Sequence, residues 1–149
     1  RDKLLKEHGI QVDMHVAAFA LVGESVQNPA IYFENNVSGS HTLLNAAVDS
    51  GVKQFIFSST CATYGFPERV PLTEDLPANP ITPYGLSKLM VEEMLDWYGK
   101  AYGLRYVALR YFNACGATEA HGEDHEPETH LIPNIFKAIT GQSLSLIPI

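Results

Sequence analysis

Hydrophobic and polar positions switch repeatedly along the chain between helical spacing and the unbroken apolar run of a buried strand. Residues 2–8 (DKLLKEH) carry the end of an amphipathic helical pattern, which Gly9 closes. Val12 to Ala18 is short, apolar and strand-like. Asn28-Pro29 opens a long helix, because proline suits a first helical turn whose N–H groups have no partner. Ile31, Asn35, Val37, Ser38, Leu43, Leu44 and Ala47 form its periodic face, and Gly51 ends it. Lys53 to Ser59 (KQFIFSS) is aromatic and β-branched, a second strand. Residues 65–82 are proline-rich without periodicity, hence a loop. Helical spacing resumes after Pro83 and runs to Tyr102, with Gly103 as the stop. Arg105 to Phe112 (RYVALRYF) is a third strand, and a last helix begins near Leu131 after the polar stretch Gly116 to Thr129.

This αβαβαβα order, with strands apolar on both faces, predicts a parallel sheet wound with helices. Ligands of such sheets bind at the carboxyl ends of the strands. That selects Ala17-Ala18-Phe19 after the first strand, Ser58-Ser59-Thr60 after the second and Asn113-Ala114 after the third.

Composition narrows the partners. The chain has 149 residues, 46% hydrophobic and 18% charged, enough for a sizeable core. Its net charge is −7 with no cluster of Lys and Arg, which argues against nucleic acid and an anionic membrane surface but not against small anionic ligands. No apolar run approaches the ~20 residues of a membrane span, and Arg1 to Lys6 is no signal peptide. Cys61 and Cys115 end apolar runs; reduced thiols of a cytoplasmic protein are expected, with a disulfide as the alternative.

The chemistry centres on Pro83-Tyr84-Gly85-Leu86-Ser87-Lys88. A tyrosine four residues before a lysine shares a helix face with it. An ammonium near a phenol favours the phenolate and lowers the tyrosine pKa from its usual ~10, giving a base for an alcohol proton at neutral pH. The spacing by itself also suits a surface pair on a solvated helix. The run 121–130 holds His121, Glu123, Asp124, His125, Glu126, Glu128 and His130, but in no closed zinc pattern and without a cysteine, so a solvated acidic loop is expected there.

Five stretches in order, HVAAFALVGESVQNPAIYFENNVSGS (15–40), FIFSSTCATYG (55–65), NPITPYGLSKLMVEEML (79–95), LRYFNACGA (109–117) and GEDHEPETHLIP (122–133), resemble the extended short-chain dehydrogenase/reductase family and, within it, the UDP-glucose 4-epimerases. The resemblance covers nearly the whole chain. It implies a Rossmann-like, doubly wound parallel sheet that is incomplete. Residues 1–115 are then the C-terminal part of an NAD-binding domain, and 116–149 the start of a sugar-nucleotide-binding region. No G-x-G-x-x-G or G-x-x-G-x-x-G occurs, so the glycine-rich cofactor turn is expected upstream and the chain is expected to be an internal fragment. Near the other end, Ile147-Pro148 departs from the family's Phe-Gly.

The resemblance further implies a catalytic trio of Thr60, Tyr84 and Lys88. Tyr84 would deprotonate the sugar 4-hydroxyl, Lys88 would hold the nicotinamide ribose, and Thr60 would hydrogen-bond the reacting oxygen. Val16, Ala17, Ala18, Phe19, Asn35, Ser58 and Phe112 match positions beside NAD, and Asn113, His130 and Leu131 match contacts to the UDP-sugar. Asn35 sits mid-helix, where asparagine is mildly unfavourable, which suggests a buried polar task. Relatives with Gly-Leu-Lys where this chain has Ala18-Phe19-Ala20 carry a lysine contact that is missing here. The implied protein is a homodimer packed through helices at about 29–49 and 84–102, with Met90, Met94 and Tyr98 as an apolar stripe at i, i+4, i+8. Other readings are an epimerase of UDP-arabinose, UDP-glucuronate or a UDP-N-acetylhexosamine, or a catalytically idle Rossmann-like binding module. A nucleotide-sugar dehydratase would want Asp-Glu after Thr60, where this chain has Cys61-Ala62.

Overall fold

The computed structural model of the chain describes residues 2–122, 128 and 130–142. They form two compact units, dividing after Tyr111. In the first unit, helix α1 (Asp2–Glu7) leads to strand β1 (Val12–His15), a short helix α2 (Val22–Gln27) and then helix α3 (Pro29–Tyr32). Helix α3 continues without a break through a π-helical stretch, Phe33–Ser38, into α4 (Gly39–Asp49). Strand β2 (Gln54–Thr60) runs into a single 3₁₀ turn, Cys61–Tyr64, and after the proline-rich loop come α5 (Pro83–Tyr102) and β3 (Arg105–Tyr111). The second unit contributes α6 (Leu131–Ile139).

The three strands form one parallel sheet in the order β1-β2-β3, with Val12 opposite Gln54 and Gln54 opposite Arg105. The expected αβ alternation is present. Two details differ from the sequence reading. Strand β1 ends at His15, so Val16 to Leu21 is irregular, and α2 interrupts what was expected to be a connection. The long helix widens into a π-helix at Asn35-Asn36, a distortion that recurs at functional sites.

Helices α4 and α5 cover one face of the sheet. Leu44 and Ala47 from α4, and Val91 and Leu95 from α5, pack with Phe55 and Phe57 of β2, together with Val52 and Leu104. The opposite face carries Val12, Met14, Val107, Leu109 and Tyr111, all exposed. Burial on both faces, expected from the strands' composition, is thus met on the helical side only among the described residues.

Helix α5 is delimited by chemistry legible in its sequence. The Thr82 hydroxyl accepts from the Gly85 N–H at 3.2 Å, Pro83 occupies the first turn, and Gly103 ends the helix at φ +70°. It is this helix that carries Tyr84 and Lys88.

Candidate active site

Thr60, at the end of β2, turns the chain into the 3₁₀ turn and accepts the Ala62 N–H on its hydroxyl at 3.2 Å. The start of α5 presses against that turn: a Cβ on Gly85 would lie only 2.5 Å from the Ala62 carbonyl oxygen. This close approach, which glycine alone permits, brings Tyr84 to Thr60. The Thr60 side chain lies beside the Tyr84 phenol and favours its ionised form. The ring of Tyr84 meets the buried Tyr32 edge-on, centroids 6.4 Å apart.

The two tyrosines have different surroundings. The Tyr32 hydroxyl accepts from the Leu21 N–H at 3.1 Å and shares its proton between the Leu21 carbonyl and a Glu24 carboxylate oxygen, each at 2.7 Å. Burial, then Glu24, pushes its pKa up to about 12. Tyr84 makes no such carboxylate contact; its phenol is raised by burial, lowered by the Thr60 side chain and raised again by Cys61.

Lys88 is 3% exposed. Its Nζ donates to the Ser58 carbonyl at 2.8 Å and lies 4.8 Å from the centre of the Phe57 ring. Burial alone lowers its pKa to about 8. Here the sequence reading is corrected. Lys88 shares the helix face with Tyr84 as expected, but it does not lower the phenol's pKa. Its ammonium donates to the strand carbonyl beside Phe57; burial holds the Tyr84 phenol above its ordinary value, and the group that pulls it back down is Thr60.

The segment Val16 to Ala20 leaves β1 with its small residues outward: Val16 and Ala17 are exposed, and Ala18 is half-buried. Its position is fixed by a residue the sequence reading passed over. Asn36, 2% exposed, accepts the Phe19 N–H at 2.9 Å and donates to the Phe19 carbonyl at 3.0 Å and to Ser87 Oγ at 3.2 Å. Ser87 in turn donates to the Tyr84 carbonyl at 2.7 Å. The buried polar task expected of Asn35 therefore belongs to its neighbour. Asn35 is exposed, donates to Asn36 Oδ1 at 3.0 Å, and lines an open cleft of about 570 Å³ with Phe19, Ile31, Glu34 and Ser38. The usable signal was the Asn-Asn pair itself: in a helix whose face repeats every three to four residues, only one of two adjacent asparagines can point inward.

Ser58 is half-buried and contributes its carbonyl to Lys88. Within the second unit, Phe112 is 59% exposed and Asn113 is exposed. The His130 backbone N–H donates to the Glu128 carboxylate at 2.7 Å, its ring Nδ1 lies 2.9 Å from the same oxygen, and Leu131 opens α6. No group of metal-ligating side chains occurs among the described residues; residues 123–127 and 129 of the acidic run lie outside them. Cys61 and Cys115 are both free thiols.

A hydroxyl, a phenol and a buried ammonium thus converge at the carboxyl end of a parallel strand. The family model described as the NAD dependent epimerase/dehydratase family matches residues 1–148. The chain belongs to the NAD dependent epimerase/dehydratase family. Among curated members, the UDP-glucose 4-epimerase of Lactobacillus helveticus is 54% identical over 142 residues, 93% of this chain and 43% of that protein. The UDP-glucose 4-epimerase of Rhizobium meliloti is 50% identical over 143 residues. The chain therefore spans less than half the length of these relatives. Among solved epimerase structures, that of the Brucella ovis UDP-glucose 4-epimerase in complex with NAD superposes with a TM-score of 0.90 at 50% identity, over 95% of this chain and 44% of the other. The Stenotrophomonas maltophila enzyme, with bound NAD and formylated UDP-arabinopyranose, gives 0.87 at 36% identity, over 97% and 44%. The Rossmann-like parallel sheet is accordingly the family's own.

Proposed function

We propose that this chain carries the proton-transfer side of the active site of an NAD-dependent UDP-glucose 4-epimerase, and that the whole protein interconverts UDP-glucose and UDP-galactose. The observation that carries the reading is the contact between Thr60 and the Tyr84 phenol, with Lys88 buried one helical turn further on. Support comes from curated relatives at 46–54% identity, all named UDP-glucose 4-epimerase.

The donor set fits the nicotinamide half of a dinucleotide. An ammonium has three N–H donors; one is on the Ser58 carbonyl, which leaves two for ribose hydroxyls. The segment after β1 carries the small side chains of Ala17 and Ala18 and is braced at Phe19 by Asn36. When bound, NAD supplies the hydride acceptor and donor for a 4-keto sugar and a positive charge that favours the phenolate. The chain's own residues handle the proton. Tyr84 Oη takes it from the sugar 4-hydroxyl, and Thr60 Oγ1 holds the same oxygen and relays. In the reverse direction the phenol returns the proton to that oxygen. Asn113, His130 and Leu131 are assigned to the UDP-sugar, and Phe112 and Asn35 to the cofactor.

On this reading the whole protein acts in galactose metabolism as a cytoplasmic homodimer. Two free thiols support the compartment. Exposed Leu86, Met90 and Trp97 along α5 support the dimer. The expected stripe is revised in this respect: Met94 and Tyr98 pack against the core and only Met90 faces out.

A second reading, a different nucleotide sugar, is favoured by two relatives at 36% identity. One binds a formylated UDP-arabinopyranose and one is named UDP-N-acetylglucosamine 4-epimerase. Assay of the whole protein on UDP-galactose, UDP-arabinose and UDP-N-acetylgalactosamine separates the two. Tyr84→Phe, which keeps the ring and removes the ionisable hydroxyl, should lower turnover by about 10²–10⁴-fold while NAD stays bound. Turnover within about threefold of wild type would remove Tyr84 from the role of base.

A further inference from the structure

We propose that Glu92 is a positioning residue for the trio, a carboxylate that locks the helix bearing Tyr84 and Lys88 to the two strands beside it; this rests on the epimerase reading above. Glu92 lies on α5 one turn beyond Lys88, and its side chain is 11% exposed. Oε1 accepts from Ser59 Oγ and from Arg110 Nε at 3.0 Å; Oε2 accepts from Arg110 Nε at 3.1 Å and Nη2 at 2.6 Å. Ser59 and Arg110 are partners in register across β2 and β3. The guanidinium of Arg110 also lies 4.7 Å from the centre of the Tyr64 ring, in the 3₁₀ turn.

The places these groups occupy in the chain give the contact its significance. Ser59 is the residue before Thr60. Tyr64 ends the turn that Thr60 begins. Glu92 is four residues after Lys88 and eight after Tyr84. A single carboxylate therefore joins the element that bears the phenol and ammonium to the elements that bear and follow the hydroxyl. A forked guanidinium–carboxylate contact is directional, and a slide of the helix by one residue, ~1.5 Å, would break it. Stability alone does not call for such a group. A half-buried ion pair loses to desolvation much of what it gains in attraction, and apolar residues of the same volume hold a helix on a sheet equally well. Apolar contacts do not fix the helix along its axis, and Glu92 does.

The test compares Glu92→Ala, Glu92→Gln and Ser59→Ala in the whole protein, with Tyr84→Phe alongside. Steady-state kinetics, retained NAD and thermal melting are measured together. Displacement of a reacting group by a fraction of an ångström should lower kcat of Glu92→Ala by about tenfold or more. KM for UDP-galactose and bound NAD should stay near wild type. Glu92→Gln, which keeps an acceptor oxygen, should recover most of kcat. Ser59→Ala, which removes one hydroxyl and is the mildest for folding, should lose about threefold in kcat at unchanged KM. If Glu92→Ala fails to fold, Ser59→Ala decides. Melting that falls while kcat of Glu92→Ala, or of Ser59→Ala where Glu92→Ala does not fold, stays within about twofold of wild type would reduce Glu92 to a structural contact and overturn the proposal. A fall in kcat, KM and NAD content together, without recovery in the glutamine variant, would do the same. If instead Tyr84→Phe keeps wild-type turnover, or the wild type does not epimerise, it is the epimerase reading that fails.

Discussion

Replacing Gly85 by alanine tests how the phenol is set against the hydroxyl. The added Cβ would stand 2.5 Å from the Ala62 carbonyl oxygen, 3.0 Å from its carbon and 3.2 Å from Pro80 Cβ. Relaxed carbon–oxygen contacts are about 3.3 Å, so the shortfall is about 0.8 Å. The obstructing atoms are backbone, and the Ala62 N–H is tied to Thr60 Oγ1. Neither side yields cheaply, and the gap opens between the residues flanking Tyr84 and those flanking Thr60. Overpacking of this kind costs about 1–3 kcal/mol. The gain in helix propensity over glycine returns ~1 kcal/mol, leaving a net loss of up to about 2 kcal/mol. Misplacement near 1 Å costs about 10²-fold in rate. The expected variant is folded, melts several degrees lower, and turns over about 10–100-fold more slowly with NAD still bound. A coupled assay for UDP-glucose, with cofactor released on denaturation, reads both quantities. Turnover within about twofold of wild type would show that Gly85 does not set the Thr60–Tyr84 contact.

Lys88 gives a pH prediction. Burial lowers its pKa from 10.5 to about 8, so in this window the unfolded chain binds more protons than the folded one and stability rises with pH. The contribution is complete above 10.5 and lost as pH falls through about 8. Denaturant unfolding of the whole protein between those values should show it, and Lys88→Met should flatten the slope; an equal slope in the variant contradicts it. Treatment with EDTA should leave activity unchanged, and a loss restored by zinc would reinstate the metal reading of residues 121–130. Sedimentation of the whole protein at micromolar concentration should show a dimer; Trp97→Asp and Met90→Asp, both on the exposed side of α5, should shift it to monomer.

Much of the first unit was legible in the sequence because its elements begin and end on residues with a local stereochemical reason. Gly9, Gly51 and Gly103 all take positive φ where helices were expected to stop, and Pro29 and Pro83 stand in the first helical turn as expected. The strand of Lys53 to Ser59 is shifted by a single residue, to Gln54–Thr60. The parallel order alone pointed to Thr60 at the end of that strand; the choice of Tyr84 and Lys88 as its companions came from the resemblance to the family. What the sequence did not carry was the assignment of polar partners. A tyrosine and a lysine at i, i+4 share a face, but the reach of a lysine lets it choose among several acceptors, and here the Ser58 carbonyl and Phe57 win over the phenol. Between Asn35 and Asn36, helical phase within a π-distorted turn decides which is buried, and regular periodicity cannot read that phase. Nothing local in the sequence marks Glu92; its strand partners, Ser59 and Arg110, which lie far apart in sequence and side by side in register, give it a task.

Helix α5 shows why the polar contacts matter more to the site than to the core. Val91 and Leu95 are fully buried against Phe55 and Phe57, and burial of such side chains is worth about 1.5–3 kcal/mol each. That attraction is non-directional. It holds the helix on the sheet but penalises a small slide or rotation only weakly. Three directional contacts remove that freedom. At the N-terminus, the Thr82 cap and the Gly85–Ala62 approach set the height of Tyr84. On the α4 side, Asn36 pairs with both polar backbone atoms of Phe19 and with Ser87, tying the segment after β1 to the residue before Lys88. On the β3 side, Glu92 holds Arg110 and Ser59. None of the three touches the phenolic oxygen or the ammonium. Each restrains a different degree of freedom of the helix that carries both groups, and proton transfer over a hydrogen-bond distance tolerates only about half an ångström of error.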